Sequence, residues 1–490
     1  MLLGSLAAWS GSARAAGTAF DPSSCVTAPS TVVLGVQIAD PACEFSGAAY
    51  TGPFSPIANG SGQLSQVWTG IASDGGAYRI EVPPDWNGTL VMFAHGYRGT
   101  GTVVWVDDPQ LRQYFVDNGF AWAASSYAMN GYDPGDGVVD THDLLTAFPT
   151  VTGLHARQVI MSGLSMGGEI TTAEIEAYKG DFAGAMPYCG VLAGSNLFDY
   201  YLGANVTAAG LTGTTISYPT TPAAGQAYAP AYQSTVQSEL PTLGITPDPA
   251  TGGQTFTTNL TKTGTSWADT VEQLSGGTRP GFDSAIDYWD SFGFAPLTQV
   301  PFLFGLYPGL NAGTLGFANG SVAGNEHTFY TFSDNPLNNL RQEIALNRAV
   351  LRVPVTATSS ADALSPAELP VIHGDPGIPV LSVHGIGDLF VPFSMDQEYD
   401  AMMVAHGQGD LFVGRAIREV THCGYTTSEL SSAFSALVSW INTGKRPAGD
   451  NILDPRTVAS PLFGCRFTDP TPGAHPEFKA TVPCPASSRD

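Results

Sequence analysis

A serine between two glycines is the first candidate for chemistry in this chain. The segment 159–170 reads VIMSGLSMGGEI and places Ser165 between Gly163 and Gly167, directly after a run of apolar residues. A serine hydroxyl attacks a carbonyl carbon only when a base removes its proton and a carboxylate orients that base. With 57 glycines among 490 residues, Gly-x-Ser-x-Gly is expected by chance in roughly one such chain in two, so the surroundings must decide whether Ser165 is a nucleophile.

Two later segments carry the partners that such a serine needs. Asp388 lies in SVHGIGDLFVP, just beyond a predicted strand that ends near Val383, and His422 lies in REVTHCGY, just beyond one that ends near Val420. In an open α/β sheet, the loops that follow the parallel strands meet at one edge. We therefore expect Ser165, Asp388 and His422 to lie close together at that edge.

Predicted strands and helices alternate on both sides of these motifs. The alternation predicts an α/β fold with a mostly parallel central sheet flanked by helices. Ser165 then lies at a sharp turn between a strand and a helix, where side chains at positions 163 and 167 would clash with neighbouring backbone. Strands are predicted at 77–83, 89–96, 120–127, 156–161, 182–191, 378–385 and 411–420, and helices at 107–119, 136–148, 337–352, 394–407 and 428–444.

The chain order of serine, acid and histidine, each after a predicted strand, resembles the α/β-hydrolase superfamily. GLSMG resembles its nucleophile turn, HGIGDLFVP its acid loop, and FAHGYRG (93–99) its oxyanion-hole loop; HCG follows the last predicted core strand. The resemblance covers about residues 77–191 and 350–445. It implies a serine esterase in which Ser165 is the nucleophile, His422 the base and Asp388 the acid, with the backbone N–H groups of Tyr97 and Met166 as oxyanion donors.

The alternation also suggests how the chain is divided. Between residues 192 and 335 the alternation of strands and helices is interrupted by sequence rich in Gly, Thr, Pro and aromatic residues. We interpret this segment as an insertion into one domain. By resemblance to the α/β-hydrolase fold, it is a cap or lid after the sixth core strand. Aromatic residues there suggest an apolar or aromatic substrate pocket; the alternative, that they form the insertion's own core, accounts for most of them. The core is then 77–191 and 336–447, flanked by a signal-peptide remnant at 1–16, an N-terminal extension at 17–76 and a disulfide-tied tail at 448–490.

Six cysteines allow 15 complete pairings. Cys25 with Cys43 and Cys465 with Cys484 would each close a short loop near a terminus. Tannase and feruloyl-esterase relatives join a cysteine before the nucleophile to one after the histidine; here Cys423 matches the second position, but Leu164 occupies the first. Cys189, at the end of the predicted sixth strand, is the alternative partner, so we expect a Cys189–Cys423 bridge; two free buried thiols are the competing interpretation.

Other titratable residues have simpler interpretations. His95 precedes the oxyanion loop and is expected to brace it, His384 is expected to be structural, and His142 is expected to lie on a solvated helix face. Asp396 is the alternative acid if Asp388 faces away. The string Asp133, Asp136, Asp140 and Asp143 lacks the glycine and glutamate of an EF-hand and is interpreted as helix capping, with Asp136 at the cap, and solvent exposure. Adjacent His422 and Cys423 are poorly placed to bind one metal, so neither a metal nor a cofactor is predicted.

Composition narrows the partners and the compartment. A formal charge of −24 without a basic run disfavours nucleic acid, and no stretch after the N-terminus is long and apolar enough for stable membrane insertion. Together with the cysteines, this favours a secreted protein, extracellular or periplasmic. The predicted function is hydrolysis of a small or oligomeric carboxylic ester. A serine peptidase on the same fold and a non-catalytic binding protein are the alternatives, and the oligomeric state is not predicted.

Overall fold

The computed structural model describes residues 54–73, 75–98, 104–294, 297–310, 321–335, 337–356 and 369–485, together with short strands before residue 51. The predicted signal-peptide remnant at 1–16, the Cys25–Cys43 pair and Gly99 lie outside the described residues. No helix in the described ranges combines the length and apolarity needed to cross a membrane.

Eight strands form one central sheet in the spatial order β1-β2-β4-β3-β5-β6-β7-β8. β1 and β2 pair antiparallel, as do β2 and β4, and every other neighbouring pair is parallel. The strands are β1 (Gln66–Ile71), β2 (Ala77–Val82), β3 (Thr89–Ala94), β4 (Ala121–Ser125), β5 (Gln158–Leu164), β6 (Gly184–Tyr188), β7 (Val380–Gly385) and β8 (Phe412–Ile417).

Side-chain burial explains why these segments form a sheet covered on both faces. Every residue of β3, β4, β6, β7 and β8 is buried, and a parallel sheet between two layers of helices requires such continuous apolar strands. The edge strand β1 is largely exposed. The parallel strands therefore bring their carboxyl ends to one edge, where the loops carrying the candidate site lie.

Helices cover both faces of the sheet. α2, α3 and α10 pack on one face, whereas α1 and α11 pack on the other. The predicted α/β class, with a mostly parallel central sheet flanked by helices, is confirmed. The helices are α1 (Arg112–Asp117), α2 (Pro134–Thr152), α3 (Met166–Ala177), α4 (Asn196–Thr212), α5 (Pro222–Leu243), α6 (Lys262–Leu274), α7 (Phe282–Trp289), α8 (Phe302–Gly305), α9 (Leu340–Ala349), α10 (Ser394–Ala405), α11 (Thr427–Thr443) and α12 (Pro455–Val458).

The long connection between β6 and β7 contains the helices α4 to α9. α4 is the centre of this layer, because α5, α6, α8 and α9 all pack against it. α9 begins after residue 336 but contacts α4, so it packs with the segment that we interpret as an insertion. Short antiparallel pairs complete this region, Ile245–Pro247 with Phe256–Thr258 and Gly293–Phe294 with Leu297–Pro301.

Three details differ from the sequence predictions. β1 lies within the predicted N-terminal extension but belongs to the central sheet. The turn sequence PDWNG (84–88) predicts a short hairpin-like connection between the first two predicted strands, but β2 and β3 do not pair, because β4 lies between them. α2 begins at Pro134 with Asp133 as its N-cap, not at Asp136, since the Asp133 carboxylate accepts the N–H of Asp136 at 3.2 Å.

Candidate active site

Ser165 occupies the turn that joins β5 to α3. Its φ is 58°, a left-handed value that costs energy for a residue with a side chain. The flanking glycines make this turn possible, because a Cβ at Gly163 would lie 2.1 Å from the Gly167 carbonyl oxygen and one at Gly167 would lie 2.1 Å from the Ala94 carbonyl oxygen. The packing of β3, β5 and α3 therefore excludes any side chain at these two positions.

The loop after β3 lies directly beside this serine. A Cβ at Gly96 would lie 3.0 Å from the Ser165 Cβ and 3.4 Å from its Oγ. His95 braces the loop: its ring stacks on Tyr127 at 3.9 Å, and its two nitrogens face the carbonyl oxygens of Gly96 at 2.7 Å and Ser126 at 3.1 Å. Burial, assisted by the charge of Arg98, lowers the His95 pKa to about 3, so the ring is neutral at physiological pH.

Asp388 and His422 are in direct contact. The His422 Nδ1 lies 2.6 Å from the Asp388 Oδ2, and both side chains are buried. The other carboxylate oxygen of Asp388 accepts the backbone N–H groups of Phe390 at 2.9 Å and Val391 at 3.1 Å. These bonds fix the carboxylate, and the carboxylate in turn fixes the imidazole with its Nε2 pointing away from Asp388.

The Nε2 of His422 is buried and has no hydrogen-bond partner among the described residues. The edge of the Phe390 ring packs against the imidazole, with ring centroids 5.0 Å apart. A buried imidazole nitrogen without a partner costs free energy unless a ligand or a reacting group completes it. The His422 Nε2 is therefore the atom at this edge of the sheet that most clearly indicates a place for a ligand or a reacting group.

A disulfide connects the histidine loop to the strand beside Ser165. Cys189 is bonded to Cys423 with the Cα atoms 5.3 Å apart, the pairing expected from the sequence. Cys189 follows Tyr188, whose carbonyl oxygen accepts the Ser165 N–H at 3.3 Å. The potential ligand atoms of Cys189, His422 and Cys423 lie within 4.8 Å of one another, but the sulfurs are bonded to each other and offer no thiolate to a metal.

Backbone strain is concentrated at this edge of the sheet. Among the described residues, the four non-glycine residues with positive φ are Tyr127, Ser165, Cys189 and Cys423. Tyr127 belongs to the same region, because its hydroxyl donates to the His95 carbonyl oxygen at 3.0 Å. Residues held in such conformations cluster at functional sites, where the surrounding structure enforces them.

The remaining histidine and aspartate candidates have other partners. Asp396, the alternative acid, contacts the buried His384 at 2.8 Å rather than His422. Burial opposes a charge on His384, but the neighbouring Asp396 carboxylate raises the His384 pKa overall. His142 lies on a partly exposed face of α2, where its ring stacks on Tyr178 at 3.4 Å and contacts the exposed Asp181 at 3.0 Å.

The acidic string before and within α2 is less exposed than its composition indicates. Asp133 and Asp140 are buried, and Asp140 accepts the backbone N–H of Ala128 at 2.7 Å. Burial raises the pKa of Asp133 to about 7. Helix capping is therefore confirmed, although by Asp133 and not by Asp136, and Asp140 bonds to the loop that precedes the helix; the expected solvent exposure does not apply to these two carboxylates.

Sequence reasoning missed a second layer of support behind the histidine loop. Glu419 is buried and accepts the N–H groups of Val420 at 2.6 Å and Thr421 at 2.7 Å. His475, in the C-terminal tail, contacts Glu419 at 2.5 Å and Glu429 at 2.8 Å. The tail is closed by the Cys465–Cys484 disulfide. Only the position of Glu419 three residues before His422 could have signalled this role.

Comparisons with known proteins give partial likenesses. No family model matches the chain. A curated o-phthalyl amidase from Xanthobacter agilis is 33% identical over 77 residues, which is 16% of this chain and 17% of the amidase. The chain therefore aligns with about a sixth of the length of that relative.

Several solved structures share the general arrangement at low identity. Feruloyl esterase B from Aspergillus oryzae has a TM-score of 0.43 at 14% identity and covers 80% of this chain and 85% of its own. Tannin acyl hydrolase from Aspergillus niger has a TM-score of 0.42 at 13% identity, covering 79% of each chain. An acylaminoacyl peptidase has a TM-score of 0.37 at 10% identity and covers 79% of this chain and 43% of the peptidase.

Proposed function

We propose that this protein is a secreted serine hydrolase that cleaves carboxylic esters through an acyl-enzyme on Ser165. The observation that carries the proposal is the buried Asp388–His422 contact of 2.6 Å together with an Nε2 that has no partner among the described residues. An imidazole oriented by a carboxylate on one nitrogen and open on the other is the base that a serine nucleophile requires.

In the proposed reaction, the His422 Nε2 takes the hydroxyl proton of Ser165 as the serine Oγ bonds to the ester carbonyl carbon. The carbonyl π electrons move to oxygen and form the oxyanion. When that oxyanion collapses, the bond to the alcohol breaks and the imidazolium returns its proton to the departing alkoxide. Water then repeats the sequence on the acyl-enzyme, which releases the carboxylic acid and restores the serine. The Asp388 carboxylate stabilises the imidazolium.

The backbone N–H groups of Tyr97 and Met166 are proposed as the oxyanion donors. Met166 is the first residue of α3, where the N–H groups have no intrahelical acceptor and the helix dipole favours negative charge. The loop that carries Tyr97 is held against Ser165 at Gly96. Loss of one such donor typically costs about 10²–10³-fold in rate.

An amide substrate is the second candidate. The match to an o-phthalyl amidase, though restricted to 77 residues, supports including amide bonds in the substrate screen. The same nucleophile and base act on both bonds, but the amide depends more strongly on the proton that His422 returns to the leaving group, because an amine that leaves without that proton is a poorer leaving group than an alkoxide. A small apolar or aromatic ester remains the first choice, as the aromatic-rich sequence between β6 and β7 suggests.

The test is a substrate screen with a labelling control. Purified protein is assayed against p-nitrophenyl esters of graded chain length, beside peptide anilides and an aryl amide, and is treated with a fluorophosphonate probe. We expect ester turnover and labelling at Ser165, both abolished in Ser165→Ala. Ser162→Ala is the matched control: this buried serine lies in β5, three residues before Ser165, and donates to the Met186 carbonyl oxygen of β6, so its loss should leave both signals intact. Labelling at another residue, or turnover unchanged in Ser165→Ala, would reject the proposal.

A further inference from the structure

The loop that carries Asp388 is held by side chains from the long connection between β6 and β7. Within the segment HGIGDLFVP (384–392), we use the term acid loop from here on for residues 386–390. Its backbone carbonyl oxygens at 386, 387, 389 and 390 each accept a hydrogen bond from a different side chain of that connection. The bonds run from Arg279 Nε to Ile386 at 2.6 Å, Trp289 Nε1 to Gly387 at 3.2 Å, Tyr200 Oη to Leu389 at 3.0 Å, and Tyr201 Oη to Phe390 at 2.6 Å.

Trp289 differs from the other three donors because it also reaches the histidine loop. Its indole N–H is shared between the carbonyl oxygens of Gly387 at 3.2 Å and Val420 at 3.0 Å. Gly387 immediately precedes Asp388, and Val420 lies two residues before His422. One donor at the end of α7 therefore links the two loops that carry the acid and the base.

The surroundings of Trp289 fix the direction of this donor. The side chain is fully buried, and its ring packs against Phe302 with centroids 4.6 Å apart and against Phe390 at 6.3 Å. Other links also join the two loops: the Ile386 N–H donates to the Ile417 carbonyl oxygen at 2.9 Å, the Gly387 N–H donates to the Glu419 carbonyl oxygen at 2.8 Å, and the Asp388 carboxylate contacts His422 at 2.6 Å. The shared indole N–H adds to these links a side-chain donor that bonds to the backbone of both loops at once, one residue before the acid and two residues before the base.

We propose that Trp289 is a positioning residue for the Asp388–His422 pair. This inference rests on the proposed function, since it assumes that the pair acts as acid and base toward Ser165. Trp289 does not need to touch the substrate. It sets the separation of two loops that follow different strands, and a displacement of about 1 Å in such a pair can cost about 10²-fold in rate.

The test compares two buried tryptophans that each donate to a backbone carbonyl. Trp289→Phe removes the shared donor and keeps an aromatic ring. Trp267→Phe is the matched control, because Trp267 is also fully buried and its N–H donates to the Ala204 carbonyl oxygen at 2.8 Å, within the same connection and away from both loops. We expect kcat to fall about 10- to 100-fold in Trp289→Phe with KM within about 3-fold, and kcat to stay within about 2-fold of wild type in Trp267→Phe.

Circular dichroism and thermal unfolding establish that both variants are folded at the assay temperature. If Trp289→Phe does not fold, 3-benzothienylalanine at position 289 keeps the ring shape and replaces only the N–H by sulfur, and the same loss of kcat is expected. The rate of fluorophosphonate labelling of Ser165 should fall in parallel with kcat, because labelling requires an activated serine hydroxyl but does not require the substrate to bind in a pocket.

The outcomes separate this inference from the proposed function. Equal kcat losses in the two tryptophan variants, or a change confined to KM, would overturn the positioning role. A wild-type protein that neither turns over esters or amides nor labels at Ser165 would instead reject the proposed function on which the inference rests.

Discussion

His475 gives a pH-dependent test of how the C-terminal tail supports the histidine loop. Its two ring nitrogens contact Glu419 at 2.5 Å and Glu429 at 2.8 Å, so the ring must be protonated to donate to both carboxylates. Burial works against this charge, but the hydrogen bonds and charges of the two glutamates raise the His475 pKa from 6.5 to about 9. The pKa in the folded state therefore lies above that in the unfolded chain.

The sign and size of the effect follow from that shift. A raised pKa stabilises the folded state fully below pH 6.5, and the stabilisation is lost as the pH rises through about 9. The whole shift would correspond to about 3 kcal/mol, from about 1.4 kcal/mol per pH unit. Residues 470–473 of the tail are exposed, and solvent screening there reduces the expected contribution to about 1–2 kcal/mol.

The assay is urea unfolding of wild type and His475→Gln at pH 6 and pH 10. At pH 6 the variant should be about 1–2 kcal/mol less stable than wild type, because two buried glutamates lose their shared cation. At pH 10 wild-type His475 is neutral, so the difference should shrink to a few tenths of a kcal/mol. Other titrating groups are common to both proteins and cancel in the difference. A destabilisation that is equal at the two pH values would refute the reasoning.

Two further predictions concern the nucleophile turn and the choice of acid. Gly167→Ala should lower the free energy of unfolding by about 2–3 kcal/mol and abolish hydrolysis, because the new Cβ would lie 2.1 Å from the Ala94 carbonyl oxygen. Gly60→Ala is the control in urea unfolding, because the atom nearest to its new Cβ would be 3.9 Å away. Equal stability of the two variants would contradict this prediction. Asp388→Asn should lower kcat by about 10⁴-fold. Asp396→Asn should instead lower the free energy of unfolding, by about 3 kcal/mol, with a smaller effect on kcat. The opposite pattern in the two measurements would make Asp396 the acid.

The sequence predicts the fold class and most of the core elements, because those signals are local. Continuous apolar strands bounded by glycines and the helices between them are visible without tertiary information. The chain order of motifs also places Asp388 and His422 on neighbouring loops, and in the structure they lie 2.6 Å apart. Their catalytic roles and those of Ser165, Tyr97 and Met166 remain predictions.

The helices between β6 and β7 could not be predicted in the same way. α4 is buried on nearly all sides and shows no polar face, so its sequence lacks the helical period that identifies an amphipathic helix. α5 contains Pro230 and Pro241, which a sequence interpretation takes as helix breakers. Tertiary packing forms helices in spite of both signals, so the sequence alone indicates an irregular segment.

The supports of His422 come from parts of the chain that the sequence assigns to separate segments. Cys189 reaches the loop from the end of β6 through a disulfide, Trp289 from α7 through its indole N–H, and His475 from the tail through Glu419. Each contact joins residues more than 50 positions apart, so no local pattern could reveal it. All three contacts support the few residues around His422, the proposed base. Two of them, from Trp289 and His475, come from outside the predicted core at 77–191 and 336–447, so the core alone does not supply every contact that holds the base in place. We infer that removing the connection or the tail would expose the carbonyls and carboxylates that they now satisfy, and would displace His422 even where the sheet itself still folds.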